Sequence, residues 1–382
     1  MHSIVMYLYV YKYIHSKIAF LDSYQLIKII NKLNEIKIEM NIAIAGAGVA
    51  GSYLGYSLQK RGHKVEIFES SNKENHWPVC AWGASRNILS TFSKQAGLNF
   101  EDYIFHVGKV LRMDLPDNKR EYLDLKGLVT YNKQKWEQDL IEGIAITYNA
   151  KCSRESFPFN NYDYVLDCTG LHRTLLPKSQ EDFLIPAYEY LVENIQNEDE
   201  FHVIGYKGAR GYFWYFPLDY NKGFVGAGDI DKKYFGIDEF FRQHPKAKIL
   251  KKIGRPIRLS PPKRMEPFYR GNVIGVGESI GCVFPMLGEG IIPSLLCCDI
   301  FLEVLDKGGT KFDFNQYRNK VLSKFGYYDS VYRIVRLKMN GKLSAVKHLN
   351  LLMSMYRNMK KEEQRFGFEI SFDKMTRLLY AL

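Results

Sequence analysis

The stretch Asn41-Ile42-Ala43-Ile44-Ala45-Gly46-Ala47-Gly48-Val49-Ala50-Gly51 decides the fold. Residues 41–45 are a short apolar run, which reads as a buried strand. Gly46, Gly48 and Gly51 then give G-x-G-x-x-G, and 52–61 reads as a helix closed by Arg61-Gly62. A second strand follows at 63–68, so the opening is a βαβ unit, which implies a parallel sheet. At this spacing the first glycine permits a tight turn and the second lets the backbone approach a pyrophosphate. The third lets the helix lie close on the strand. The phosphate charge meets the free N–H groups around Val49 and Ala50, at the positive end of the helix.

Outward from that turn, Glu69 ends the second strand, 23 positions after Gly46. A carboxylate there can accept both ribose hydroxyls of an adenosine and disfavours a 2′-phosphate. A second segment, Val165-Leu166-Asp167-Cys168-Thr169-Gly170, is a hydrophobic strand ending in D-x-T-G. It reads either as a buried strand entering a turn or as a strand end passing close to the cofactor. The third runs from Asn272 through Gly277-Glu278-Ser279 to Pro285-Met286-Leu287-Gly288-Glu289-Gly290-Ile291. Here a strand leads to an acid that can bond ribityl hydroxyls. A glycine-rich approach then opens a helix whose N-terminus can stabilise a reduced flavin ring. Together the three segments point to FAD.

Composition is that of a globular chain: 382 residues, 46% hydrophobic and 25% charged, enough for one large or two medium domains. The six cysteines are scattered without a metal-binding spacing, which implies free thiols and a reducing cytoplasm. Residues 311–382 hold 15 Lys/Arg against 6 Asp/Glu, most of the net +11. Without the aromatic interleaving of an RNA platform, that tail reads as a solvated helical face or as a peripheral contact with an anionic membrane surface, not as a nucleic-acid site. No run reaches the ~18 apolar residues of a spanning helix. Residues 1–39 lack Gly and Pro and precede Met40. They read as an upstream extension absent from the native chain, or as an amphipathic anchor through Ile18, Leu26, Ile30 and Leu33.

Further along, 103–115 and 121–130 read as strands, 132–142 as a helix, and 183–230 as an antiparallel sheet. A helix around 237–253 follows, and 288–306 reads as another. The expected fold class is α/β: a Rossmann-like FAD-binding domain of the glutathione reductase type with an inserted antiparallel-sheet substrate domain. The FAD-binding domain is expected from two stretches of chain, 40–175 and 263–310, with the substrate-binding sheet, 176–262, between them. A basic helical C-terminal region takes 311–382.

The order G-x-G-x-x-G…E, D-x-T-G, then G-E-S-x-G-x-x-x-P-x-x-G-E-G-I resembles the flavoprotein superfamily of p-hydroxybenzoate hydroxylase, and within it the geranylgeranyl reductases. The match covers most of 40–310. Two features carry the narrower likeness. Tyr212-Phe213-Trp214-Tyr215-Phe216-Pro217 is similar to a Y-x-W-x-F-P motif, and Pro78-Val79-Cys80-Ala81-Trp82-Gly83 to a P-x-C-G segment. Glu278 stands where the family usually has Asp, and Ala81 and Trp82 where it often has glycine.

The resemblance implies reduction of C=C bonds in prenyl chains, with a lipid or isoprenoid substrate lying along Tyr212, Trp214, Phe216, Pro217 and Pro285. Without it, the three rings read equally as sheet core. Cys80 alone reads as a small buried hydrophobe; the resemblance sets it beside the flavin with a role in proton delivery. Arg86 reads either as a ligand of the FAD phosphates or as a surface arginine. The electron donor is external: NAD(P)H, a ferredoxin or a quinol. Two rival readings stand: an FAD-dependent monooxygenase of an apolar or aromatic substrate, and a membrane-associated flavin electron relay.

Overall fold

A computed structural model describes residues 39–74, 76–77, 80–195, 200–219, 221–309 and 311–382. The extension up to residue 38 and the Pro78-Val79 portion of the cysteine motif lie outside the described residues. Residues 40–382 form one body.

Asn41–Ala45 is buried at every position but the first, which suits the centre of a sheet covered on both faces. It pairs in parallel with Lys64–Phe68 on one side and Tyr164–Asp167 on the other. Six strands lie side by side in the order Tyr269–Arg270, Val273–Gly275, Tyr164–Asp167, Asn41–Ala45, Lys64–Phe68, Ala145–Thr147. The glycine-rich, D-x-T-G and acidic segments therefore leave three adjacent parallel strands at the same sheet end, with Tyr164–Asp167 between the other two. Ile42, Ile44, Val165, Leu166 and Ile274 are fully buried beneath the helices Val49–Lys60 and Ile291–Gly308. Gly51 permits this packing, because a Cβ there would lie 1.8 Å from the Gly46 carbonyl oxygen.

A seven-stranded sheet forms the second layer, in the order Lys248–Gly254, Ala187–Glu193, Lys222–Asp229, Gly211–Asp219, Phe201–Gly205, Val110–Leu115, Lys119–Asp124. It departs from the sequence reading in three places. The helix expected over 237–253 is confined to Ile237–Gln243, and Lys248–Gly254 is a strand. Pro245 disfavours helical backbone at His244, and Lys248, Lys251 and Lys252 suit an exposed edge strand. The strand expected over 103–115 divides into Ile104–Val107 and Val110–Leu115. The one expected over 121–130 divides into Lys119–Asp124 and Leu128–Tyr131. Both breaks fall at glycines. A Cβ on Gly108 would overlap Leu125 and Phe201, and Gly127 has φ +96°.

Ile104–Val107, Leu128–Tyr131 and Gly83–Ser85 form a small sheet of their own. Val110–Leu115 and Lys119–Asp124 lie within the 40–175 segment yet extend the sheet expected from 176–262. The helices expected at 132–142 and 288–306 are Lys133–Leu140 and Ile291–Gly308. From 314 the chain is helical: Phe314–Phe325, Tyr327–Met339, Leu349–Lys361, Glu363–Phe366 and Phe372–Ala381. No helix among the described residues is long and apolar enough to cross a membrane.

Candidate functional site: a dinucleotide cradle facing an aromatic wall

The three sequence segments meet. Val276 N–H donates to the Asp167 carbonyl at 3.1 Å, and the Ser279 hydroxyl to the same oxygen at 2.6 Å. Arg258 is 1% exposed and donates to the carbonyls of Gly170 and Glu278 at 3.2 and 2.7 Å. A Cβ on Gly46 would lie 2.6 Å from the Cys168 carbonyl oxygen, and one on Gly277 3.3 Å from Ala50. Around this junction opens a cavity of about 1060 Å³, at the upper end of the range for ligand sites.

On the cradle side, Gly46, Gly48, Val49 and Ala50 line the cavity. The helix Val49–Lys60 has Gly48 as its N-cap, no side-chain cap and no acid in its first turn. Its leading N–H groups are left for an external acceptor. A Cβ on Gly48 would meet nothing within 4 Å, so this position is open to the cavity. Glu69 accepts from Ala47 N–H at 2.9 Å through Oε2, and from Ser71 N–H at 2.8 Å through Oε1. Burial pushes its carboxyl up, but the Ser71 and Ala47 amides outweigh that and hold it below the ordinary range. Oε2, with a single donor among the described residues, keeps a lone pair for a ribose hydroxyl.

Thr169, Gly170, Glu278, Gly288, Gly290 and Ile291 also line the cavity. Glu278 is paired with Arg255 at 2.6 Å. Gly170 has φ +57°, and a Cβ there would crowd Arg255 and Glu278. At the start of Ile291–Gly308, Glu289 accepts from Ile292 N–H at 3.0 Å and pairs with the buried Arg365. The glycines, the uncapped helix and Glu69 fit an FAD whose pyrophosphate meets Gly48 and whose ribose meets Glu69.

Opposite stands the wall. Along Gly211–Asp219, Tyr212, Trp214 and Phe216 face the cavity. Phe213 and Tyr215 alternate to the far side and pack on Phe240. The three rings are wall, and their alternates are core. Pro285 and Cys80 line the cavity too. Burial pushes the Cys80 thiol up to about 11, so it is neutral at physiological pH. Trp82 has φ +57°, a left-handed conformation that favours glycine. Its buried ring packs between Trp77 and Phe224, at 4.9 and 5.0 Å, which holds the backbone there. This chain thus keeps at Trp82 a turn that glycine forms more readily.

Four predicted residues lie outside the lining. Gly51, Gly277 and Pro217 pack behind it. Arg86 heads the helix Arg86–Gln95 and forms an exposed pair with Glu101 at 2.5 Å, as its surface reading expects. The sequence reading also missed several residues. Glu189 lines the cavity at 3% exposure, beside the buried pair Lys133–Glu137 at 2.5 Å. Phe366, Met375 and Leu382 of the C-terminal region line it as well.

Residues 44–73 match an NAD(P)-binding Rossmann-like domain. The chain is 24% identical to an uncharacterized protein of Methanocaldococcus jannaschii, over 78% of this chain and 92% of that one. It is 23% identical to the digeranylgeranylglycerophospholipid reductase of Sulfolobus acidocaldarius, over 66% of each. Among solved structures, a geranylgeranyl bacteriochlorophyll reductase-like protein of Thermoplasma acidophilum aligns with TM-score 0.62 and 16% identity, over 85% of this chain and 98% of that one. A flavin-dependent brominase variant aligns with TM-score 0.64 and 12% identity, over 90% and 94%. PqsL of Pseudomonas aeruginosa, described as a probable FAD-dependent monooxygenase, gives 0.58 and 14%, over 80% and 99%. Segments and cradle agree with an FAD-dependent oxidoreductase, and the fold is the one shared by these reductase-like, monooxygenase and brominase structures.

Proposed function

We propose that this oxidoreductase reduces C=C bonds of prenyl chains such as geranylgeranyl lipids. One observation carries the reading: Tyr212, Trp214 and Phe216, at alternate positions of one strand, turn three rings onto the cavity face. Leu111, Met113, Leu123 and Val203 extend that face with aliphatic surface toward Met375 and Leu379 of the last helix. A long apolar chain suits such a wall. The likeness to the Sulfolobus reductase supports the same substrate class.

FAD, once reduced by an external donor, supplies the hydride. The protein's task is to hold and to exclude. Gly48 and the helix N-terminus bind the pyrophosphate. The rings press the alkene into one orientation and keep water from it. The basic C-terminal region is proposed to rest on the membrane surface that carries the lipid.

The test is anaerobic incubation with dithionite and a geranylgeranyl lipid, read by mass spectrometry. A gain of two hydrogens per reduced bond is expected. Turnover that requires oxygen and NAD(P)H, with an oxygen atom added, would establish the monooxygenase reading instead.

A further inference from the structure

The tip between the helices Tyr327–Met339 and Leu349–Lys361 joins concentrated charge to exposed apolar surface. Residues 330–361 hold eight Lys/Arg and no Asp/Glu, so most of the basic excess of the C-terminal region lies here. The flanking acids are already matched: Asp329 pairs with Arg264, and Glu362 with Lys324 and Arg365. Lys338, Lys342 and Lys347, the cations nearest the tip, form no ion pair among the described residues.

Amid these cations the fold exposes aliphatic side chains. Val346 is 89% exposed, the most exposed large hydrophobic among the described residues, and Leu349 is 52% exposed. The shape of the tip is set locally. Gly341, at φ +65°, closes the helix Tyr327–Met339. Its N–H donates to the Lys338 carbonyl at 2.9 Å, and Lys342 N–H donates to that of Leu337 at 2.8 Å. Ser344 N–H then donates to His348 Nδ1 at 3.1 Å, and His348 N–H to the Ser344 carbonyl at 3.0 Å. Leu343, Leu351 and Leu352 pack on the core to either side. Val346 is thus held outward by an ordered turn.

The chemistry of the tip selects its partner. A second copy docking through the same tip would set like charge against like. A nucleic acid would use the cations and leave Val346 and Leu349 in water. An anionic bilayer uses both, with cations among the headgroups and apolar side chains below them. The tip also adjoins the site, because Lys338 lines the cavity with Ile334 and Val335.

We propose that residues 342–349 are a membrane-docking tip: Val346 and Leu349 enter the apolar edge of an anionic bilayer while Lys338, Lys342 and Lys347 meet lipid phosphates. This narrows the membrane contact of the basic region to one turn. Resting on the prenyl-reductase reading, the tip brings the Lys338 edge of the cavity to the surface where the lipid substrate lies.

The full flavin-loaded chain is floated at low salt with vesicles of phosphatidylcholine alone, or of phosphatidylcholine mixed with phosphatidylglycerol. The parent should bind the anionic vesicles more tightly, on the order of tenfold. Val346→Asn with Leu349→Gln keeps every charge and should weaken that binding on the order of tenfold. Lys342→Gln with Lys347→Gln keeps the apolar pair and should weaken it by a similar factor, about tenfold. Both variants should keep the parent's circular dichroism and flavin content. A parent indifferent to vesicle charge overturns the proposal. So does an apolar-pair variant that binds as the parent does, because cations alone would then make the contact, or one that fails to fold, because the tip would then be structural. Flotation is read without turnover. A parent that docks through the tip yet leaves a geranylgeranyl lipid unreduced upholds the docking and sinks only the prenyl reading.

Discussion

The cradle and the wall bury carboxylates in opposite ways. In the cradle, Glu69 accepts from two backbone amides, and Asp167, fully buried, accepts from the amides of Thr169, Leu175 and Leu176. In the wall, Glu189 and one oxygen of Glu137 have no hydrogen-bond partner among the described residues, and neither do the indole nitrogens of Trp77 and Trp214. A satisfied network sets a shape, whereas an unsatisfied one is costly until something fills it. The cradle's carboxylates are therefore held by the fold itself, whereas those of the wall are left without partners.

The largest effect should come from breaking the cradle's packing. Gly51→Val would drive a branched side chain into the Gly46 carbonyl, 1.8 Å from where its Cβ must lie. Neither strand nor helix can shift without losing the turn. No folded soluble chain is expected, read by far-UV circular dichroism. A native spectrum would mean that helix and strand do not meet as described. Gly48→Glu is the counterpart, because its Cβ meets nothing within 4 Å. The fold should survive while a carboxylate occupies the pyrophosphate position. The expected result is a native spectrum with flavin absorbance lost; full flavin content would refute the loop assignment.

Acid should act on the two regions with opposite sign. Glu189 is raised in the folded chain, from the ordinary 4.5 to about 7. Between those values the folded chain holds a proton that the unfolded chain has released. Stability therefore falls as pH rises from about 4.5 through 7, by on the order of 3 kcal/mol at 1.36 kcal/mol per pH unit. Glu69 is lowered, so its contribution is present above about 4.5 and is lost as pH falls through its folded value. Urea unfolding of apo parent and apo Glu189→Gln at pH 4, 6 and 8 separates them. The variant should match the parent at pH 4 and exceed it by up to about 3 kcal/mol at pH 8. A constant difference would show that Glu189 is ionised throughout.

What the sequence showed follows the same division. The cradle was legible because its constraints are local: Gly46, Gly51 and Glu69 act at fixed spacings within one βαβ unit. The rings were legible as a pattern, but only the sheet showed that Tyr212, Trp214 and Phe216 share the cavity face. Glu189 was not legible. In Ala187-Tyr188-Glu189-Tyr190 an acid alternating with aromatics reads as a solvent face, and only the second layer buries it. The strand breaks were missed because Gly108 and Gly127 matter through Phe201 and Leu125 and through a backbone angle, not through periodicity.

Arg86 should give the smallest effect, and it tests the cradle's boundary. From Cys80 it is six residues along the chain, close enough to suggest a phosphate contact, yet its guanidinium meets Glu101 in solvent. Exposed pairs of this kind contribute at most about 1 kcal/mol. Arg86→Ala should therefore shift the urea midpoint slightly and leave flavin content unchanged. If flavin affinity falls tenfold instead, the side chain swings to the phosphates on binding, and the cradle is less complete as folded than its backbone hydrogen bonds imply.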